Sequence, residues 1–147
     1  MGMFCLFVVG SYALTRTLRT LDVVVDFSAG SSELTAVQKQ RLQDAVDRIR
    51  SVKWCEIEVA IVVGYAELSE VQPSQAQLLS EERAFSVASH LQWLGLSPHV
   101  LRLEGKGSRA LNDHRRPGSN KHAVFEIVGT PPHANCPGET LKNGFWR

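Results

Sequence analysis

Two charged residues in this chain are spaced so that together they could hold a zwitterion. On a helical wheel at 100° per residue, Leu79, Val87, Leu91 and Leu94 share one apolar arc. Arg83 falls inside that arc, one turn after Leu79 and one turn before Val87. A guanidinium placed there needs a carboxylate, a carbonyl or a ligand anion, because burying it unpaired is costly. Two plainer readings stand beside a ligand role. Arg83 can run from the edge of the arc out to water, or it can pair with a framework acid such as Glu67. Glu67 sits just past the end of a predicted strand, in the loop before the helix, where ligand-binding groups are common. A lone loop acid is also ordinary solvated surface. Side by side, the two would form a clamp in which the carboxylate takes an ammonium and the guanidinium grips a carboxylate.

The elements that must position these residues can be read in order. Residues 22–27 are β-branched and bounded by a Ser/Gly/Ala cluster, which predicts a strand. Thr35 with Gln38 three residues on forms a capping box. Leu42, Ala45, Val46 and Ile49 then repeat at helical spacing, predicting a helix to about Val52. Residues 56–63 alternate and then become fully apolar up to Gly64, which suits a central strand. Ser74 with Gln77 offers a second capping box, with Pro73 discouraging any earlier start. That second helix reaches Leu94 and is stopped by Gly95. Residues 99–104 and 122–128 read as further strands, with a polar loop at 105–120 between them. The order β-α-β-α-β-β predicts a two-layer α/β sandwich, two main helices on one face of a mixed sheet of about four strands. The domain is expected over residues 22–128, followed by a Pro/Gly-rich tail at 129–147.

Composition narrows the function classes. The chain has 147 residues, 44% hydrophobic and 21% charged, with net charge +1, which suits a single globular domain. Lys and Arg are not clustered as a nucleic-acid surface requires, and Arg115-Arg116 reads as a solvated loop. The histidines, at positions 90, 99, 114, 122 and 133, form no metal-ligand spacing, so no metal or cofactor is expected. Gly105-Lys106-Gly107-Ser108-Arg109-Ala110 has dinucleotide-loop spacing, but Asn112, Asp113, Pro117 and Gly118 interrupt the helix that should follow, so a turn is expected. There is no nucleophile elbow and no Cys–His pairing, so no enzyme is expected. Trp54 and Trp93 are read as core or edge packing. Cys5, Cys55 and Cys136 allow at most one intramolecular bridge. The apolar segment 1–21 is compatible with a leader, the end of an anchor, or an added strand; its apolar run is too short to span a bilayer.

Several segments, taken in order, resemble the OmpA-like domain family. Residues 27–34 (FSAGSSEL) look like its opening strand and loop, and Gly64-Tyr65-Ala66-Glu67 stands where the family has Gly-His/Tyr-Thr-Asp. Leu79-Ser80-Glu81-Glu82-Arg83-Ala84-Phe85-Ser86-Val87 is close to its Leu-Ser-x-x-Arg-Ala-x-x-Val. Leu94-Gly95 through Pro98, Glu104-Gly105-Lys106-Gly107 and Asn120-Lys121-His122-Ala123-Val124-Phe125 match later landmarks. The likeness spans about residues 22–128.

The resemblance implies a periplasmic, outer-membrane-associated domain that binds the diaminopimelate of peptidoglycan stem peptides. Arg83 then stands in the position that takes the ligand's carboxylate and Glu67 in the position that takes its ammonium. Tyr65 and Leu79 would shape the pocket. Any membrane association would come through an N-terminal anchor. The chain departs from the family pattern at several positions: Glu67 replaces Asp, Ala66 replaces Thr, Ala76 replaces Asn, Lys121-His122 replace Arg-Arg, and Val124 replaces the Glu that follows. The loop from Glu67 to Arg83 is also one residue longer than the family pattern. These changes support an alternative, a degenerate module that contacts an envelope or secretion protein.

Overall fold

The computed structural model describes residues 18–52, 54–109, 121–132, 136 and 144–146. The first expected strand forms as β1 (Arg19–Asp26), three residues longer at its start than its β-branched run suggests. Arg19, Thr20 and Leu21 pair with Gly129, Val128 and Ile127 of β4 (His122–Thr130), and that partner extends the strand. Residues 1–17, with Cys5 and the question of a leader or anchor, lie outside the described residues. No helix among the described residues is long and apolar enough to cross a membrane.

Helix α1 (Ala36–Ser51) begins at the expected capping box: the Thr35 amide donates to Gln38 Oε1 at 3.1 Å. Strand β2 (Glu56–Gly64) follows. Helix α2 (Pro73–Trp93) starts earlier than its Ser74 capping signal implies. Pro73 occupies the first helical position, where a missing N–H costs nothing and the fixed φ suits the helix. Gln77 is freed from capping, and its Nε2 donates to the Gly105 carbonyl at 2.9 Å. Leu94 caps the helix, and Gly95 leaves it at φ +106°. Strand β3 (Leu101–Gly105) is shorter than expected; His99 and Val100 lie in the turn before it.

The sheet order is β1-β4-β2-β3, with β2 and β3 parallel and the other neighbours antiparallel. Helix α2 lies over β2, β3 and β4, while α1 packs on β1 and against α2. This is the two-layer sandwich with two helices on a four-stranded mixed sheet. Val25, Val62, Phe125 and Ile127 of the sheet meet Leu42, Val46 and Ile49 of α1 and Val87 and Leu91 of α2, all fully buried.

Described residues beyond 128 take part in the fold. Gly129 and Thr130 complete β4, Phe145 enters the core, and the Ser97 amide donates to the Phe145 carbonyl at 2.9 Å. Trp146 pairs with Leu96, and the Arg50 guanidinium lies over its ring at 4.5 Å. Cys55 and Cys136 are joined in a disulfide, with Cα atoms 5.4 Å apart. His114, Arg115-Arg116, His133 and most of the 105–120 loop lie outside the described residues. Trp54 is buried as expected, but Trp93 is 78% exposed: it falls on the outer face of α2, opposite the core stripe.

The depth at which α2 sits is set by two glycines at strand ends. A Cβ on Gly64 would lie 1.9 Å from the Ser80 carbonyl oxygen, and one on Gly105 would lie 2.7 Å from Ser80 Oγ. Ser80 uses this proximity: its hydroxyl donates to the Gln77 carbonyl at 2.7 Å and accepts from the Gly107 amide at 2.8 Å. Gly64→Ala is therefore expected to force the helix off the sheet and to cost about 1–3 kcal/mol or more in urea denaturation. Reducing the Cys55–Cys136 bridge, which spans 81 residues, should lower stability by about 2–4 kcal/mol in the same assay.

Candidate functional site

Arg83 lies on the buried face of α2, as the wheel places it, and its side chain is 0% exposed. It does not reach water. Its Nε donates to the Ser31 carbonyl at 2.9 Å. Nη1 donates to the Tyr65 carbonyl at 2.9 Å and to Glu70 Oε1 at 2.7 Å. Nη2 donates to the Ser28 carbonyl at 3.1 Å and to Glu70 Oε2 at 2.8 Å. All five N–H donors of a guanidinium are thereby used. The Phe27 ring lies 5.2 Å from its central carbon.

The acid that pairs with Arg83 is Glu70, with a side chain 1% exposed. Its carboxylate is as fully satisfied as the guanidinium. Oε1 also accepts the Glu67 amide at 2.8 Å, and Oε2 accepts the Gly30 amide at 2.9 Å. Four charge-assisted or amide hydrogen bonds thus fill the carboxylate's acceptor sites in a fork-on-fork arrangement. Burial alone would raise the Glu70 carboxyl. The Arg83 hydrogen bonds, the two backbone amides and the Arg83 charge outweigh it and hold the group below its ordinary value.

The local chain path explains why Glu70 takes this role and Glu67 does not. After β2, the Ala66 amide donates to the Gly107 carbonyl, which leaves the Tyr65 carbonyl facing Arg83. The chain then turns, with the Glu70 amide donating to the Glu67 carbonyl at 3.2 Å. That turn folds Glu70 back beneath Glu67. The Glu67 side chain lies at the rim, where Oε2 accepts from Ser69 Oγ at 2.9 Å and stands 3.7 Å from Lys121 Nζ. Tyr65 stacks its ring obliquely on His122, with centroids 4.8 Å apart. Leu79 is buried with Ala66 and Ala76 in a small apolar cluster beside the pair. The four expected site residues are thus gathered at one end of the sheet, but Glu67 meets Arg83 only through the Glu70 carboxylate. Sequence reasoning missed Glu70. Both acids stand in the same loop, and no local signal separates them; the turn after Ala66 does.

The comparisons with known proteins agree with this architecture. The OmpA family model matches residues 26–124. The chain belongs to the OmpA family. Domains of that family typically bind peptidoglycan and are not enzymes. Among solved structures, it is similar to the OmpA-like domain of FopA1 from Francisella tularensis, at 24% identity and a TM-score of 0.64, covering 80% of this chain and 78% of that one. It is also similar to the peptidoglycan-associated lipoprotein of Burkholderia pseudomallei, at 17% identity and TM-score 0.57, with 71% and 88% covered. The C-terminal domain of Helicobacter pylori MotB matches at 18% identity and TM-score 0.56, with 73% and 85% covered. At these identities the likeness is one of fold. No curated protein sequence matches the chain.

The buried pair makes a definite prediction for stability. A carboxyl held low in the folded state contributes stability above its unfolded value, and that contribution is lost as pH falls through the folded value. Acid titration of unfolding free energy should therefore show a loss that begins as pH falls through the ordinary glutamate value and continues below it, and Glu70→Gln should flatten that part of the curve. Arg83→Ala should cost about 3–5 kcal/mol, because it leaves a buried carboxylate uncompensated.

Proposed function

We propose that this OmpA-family domain attaches noncovalently to cell-wall peptidoglycan in the periplasm, taking the zwitterionic diaminopimelate end of a stem peptide at the Arg83–Glu67 end of the sheet. The observation that supports this most directly is the carboxylate already seated on Arg83. The socket formed by the guanidinium and the Gly30 and Glu67 amides receives a carboxylate with every hydrogen bond satisfied. In this reading Glu70 is a resident carboxylate that the stem carboxylate replaces. The ammonium half has a stand-in too: Lys121 Nζ sits 3.7 Å from Glu67 Oε2, where a ligand ammonium would bind. Tyr65 and Leu79 wall the site, and no cofactor takes part.

One observation favours a second reading. Arg83 and Glu70 are both almost wholly buried and leave each other no unused donor or acceptor. A pair that never opens would be a structural clasp, and the domain would then contact an envelope or secretion protein through another surface.

A sedimentation assay with diaminopimelate-type sacculi separates the two. The folded chain should co-pellet, and excess soluble stem peptide should release it. Glu67→Gln should weaken pelleting, about tenfold for one lost charge-assisted contact. Glu70→Gln should strengthen it, because a neutral amide is easier to displace. If the folded chain stays in the supernatant with both variants, wall attachment is wrong and the protein-contact reading takes its place.

A further inference from the structure

The outer face of α2 carries two large aromatic residues that the fold does not use. Phe85 is 66% exposed and Trp93 is 78% exposed. They stand eight residues apart, about 12 Å along the helix. Both line a shallow groove of ≈ 570 Å³ that runs between α2 and the segment leading into α1. The His90 imidazole stacks on the Trp93 indole, with centroids 5.4 Å apart and planes 16° from parallel. Lys39 of α1 lines the groove across from His90. The indole is thus backed on one side by the imidazole and largely open to solvent elsewhere.

The rest of the groove is polar. Ser86 and Ser89 sit between the two aromatic residues, and Glu33 and Lys39 line the opposite wall. An apolar protein helix would leave those groups poorly matched. A sugar ring matches them: its C–H face covers an aromatic plane while its rim of hydroxyl and acetamido groups meets hydroxyls and charges. The groove also adjoins the carboxylate socket through one loop. Ser32, Glu33 and Leu34 line it directly, while the neighbouring Ser31 carbonyl accepts from Arg83 Nε on the other side.

We infer that this groove binds the glycan strand of the wall, with Trp93 as the stacking platform, Phe85 as a second apolar contact, and Ser86, Ser89, Glu33 and Lys39 as hydrogen-bonding partners to the sugar rim. The identity of the polymer rests on the wall-binding reading above; the saccharide chemistry rests on the groove. One strand along α2 would then place its stem peptide near the loop that closes over Arg83.

Calorimetric titration of the full chain with peptide-free glycan strands tests this. Trp93→Ala should weaken binding at least tenfold, and Phe85→Ala by a smaller factor. Both residues are largely exposed, so both variants should keep the wild-type circular dichroism spectrum. Strands that give no heat with the native chain, or bind Trp93→Ala as tightly as the native chain, overturn the inference. Sacculus pelleting read in parallel keeps the two proposals apart. If sacculi pellet and are released by stem peptide while bare strands do not bind, the groove is refuted and the socket stands. If strands bind through Trp93 while stem peptide has no effect on pelleting, the groove stands without the socket.

Discussion

The arginine–glutamate pair at the end of the sheet is the interaction on which the rest of this domain depends. Arg83 is delivered by α2, Glu70 by the loop after β2, and the Ser28 and Ser31 carbonyls with the Gly30 amide by the loop after β1. Three chain segments distant in sequence are therefore closed by one cation and one anion. Either ion alone would be too costly to bury. Together they are tolerated because every donor and acceptor is met in good geometry. The same condition makes the arrangement unforgiving, since loss of one partner strands the other in a place water cannot reach.

That closure requires α2 to sit at the right depth, and the depth comes from what is missing on two strands. Gly64 and Gly105 end adjacent parallel strands and present bare backbone to Ser80. The helix comes down until the Ser80 hydroxyl bridges its own preceding turn and the Gly107 amide. Arg83, one turn further along, is then level with the loops it must hold. Core packing beneath α1 and α2 fixes the lateral position, and the Cys55–Cys136 bridge ties the C-terminal segment to the start of β2.

For binding, the consequence is a site that starts out filled by its own ions. Under the proposed wall attachment, a ligand carboxylate would gain only the difference between its contacts and those of Glu70, so affinity at the socket would be set by exchange and not by the strength of the Arg83 interaction itself. Additional contacts elsewhere on the polymer would then matter more than in an open pocket. The exposed aromatic groove on the outer face of α2, lined partly by Ser32, Glu33 and Leu34, lies within one loop of the socket and is where the proposed glycan contact would fall.

The order and number of elements were written in local patterns. Thr35 with Gln38, the alternation before Gly64, the stop at Gly95 and the apolar stripe of α2 depend only on near neighbours along the chain, and each is present in the folded domain. So was the demand that Arg83, inside an apolar arc, find polar partners or reach water. Which partner it would take was not written locally. Glu67 and Glu70 lie three residues apart in the same loop, and both are plausible on chemistry; the turn after Ala66, held by the Gly107 carbonyl, sends one inward and the other to the rim. The start of β1 and the burial of Phe145 likewise came from partners far away in sequence. Sequence by itself determined the helix faces, the order of the elements along the chain and the need for Arg83 to find polar partners or water, because these follow from periodicity and desolvation. Only the tertiary structure decided that Glu70 meets the need and that Trp93 is left open to solvent, because both depend on where separate segments come to rest against one another.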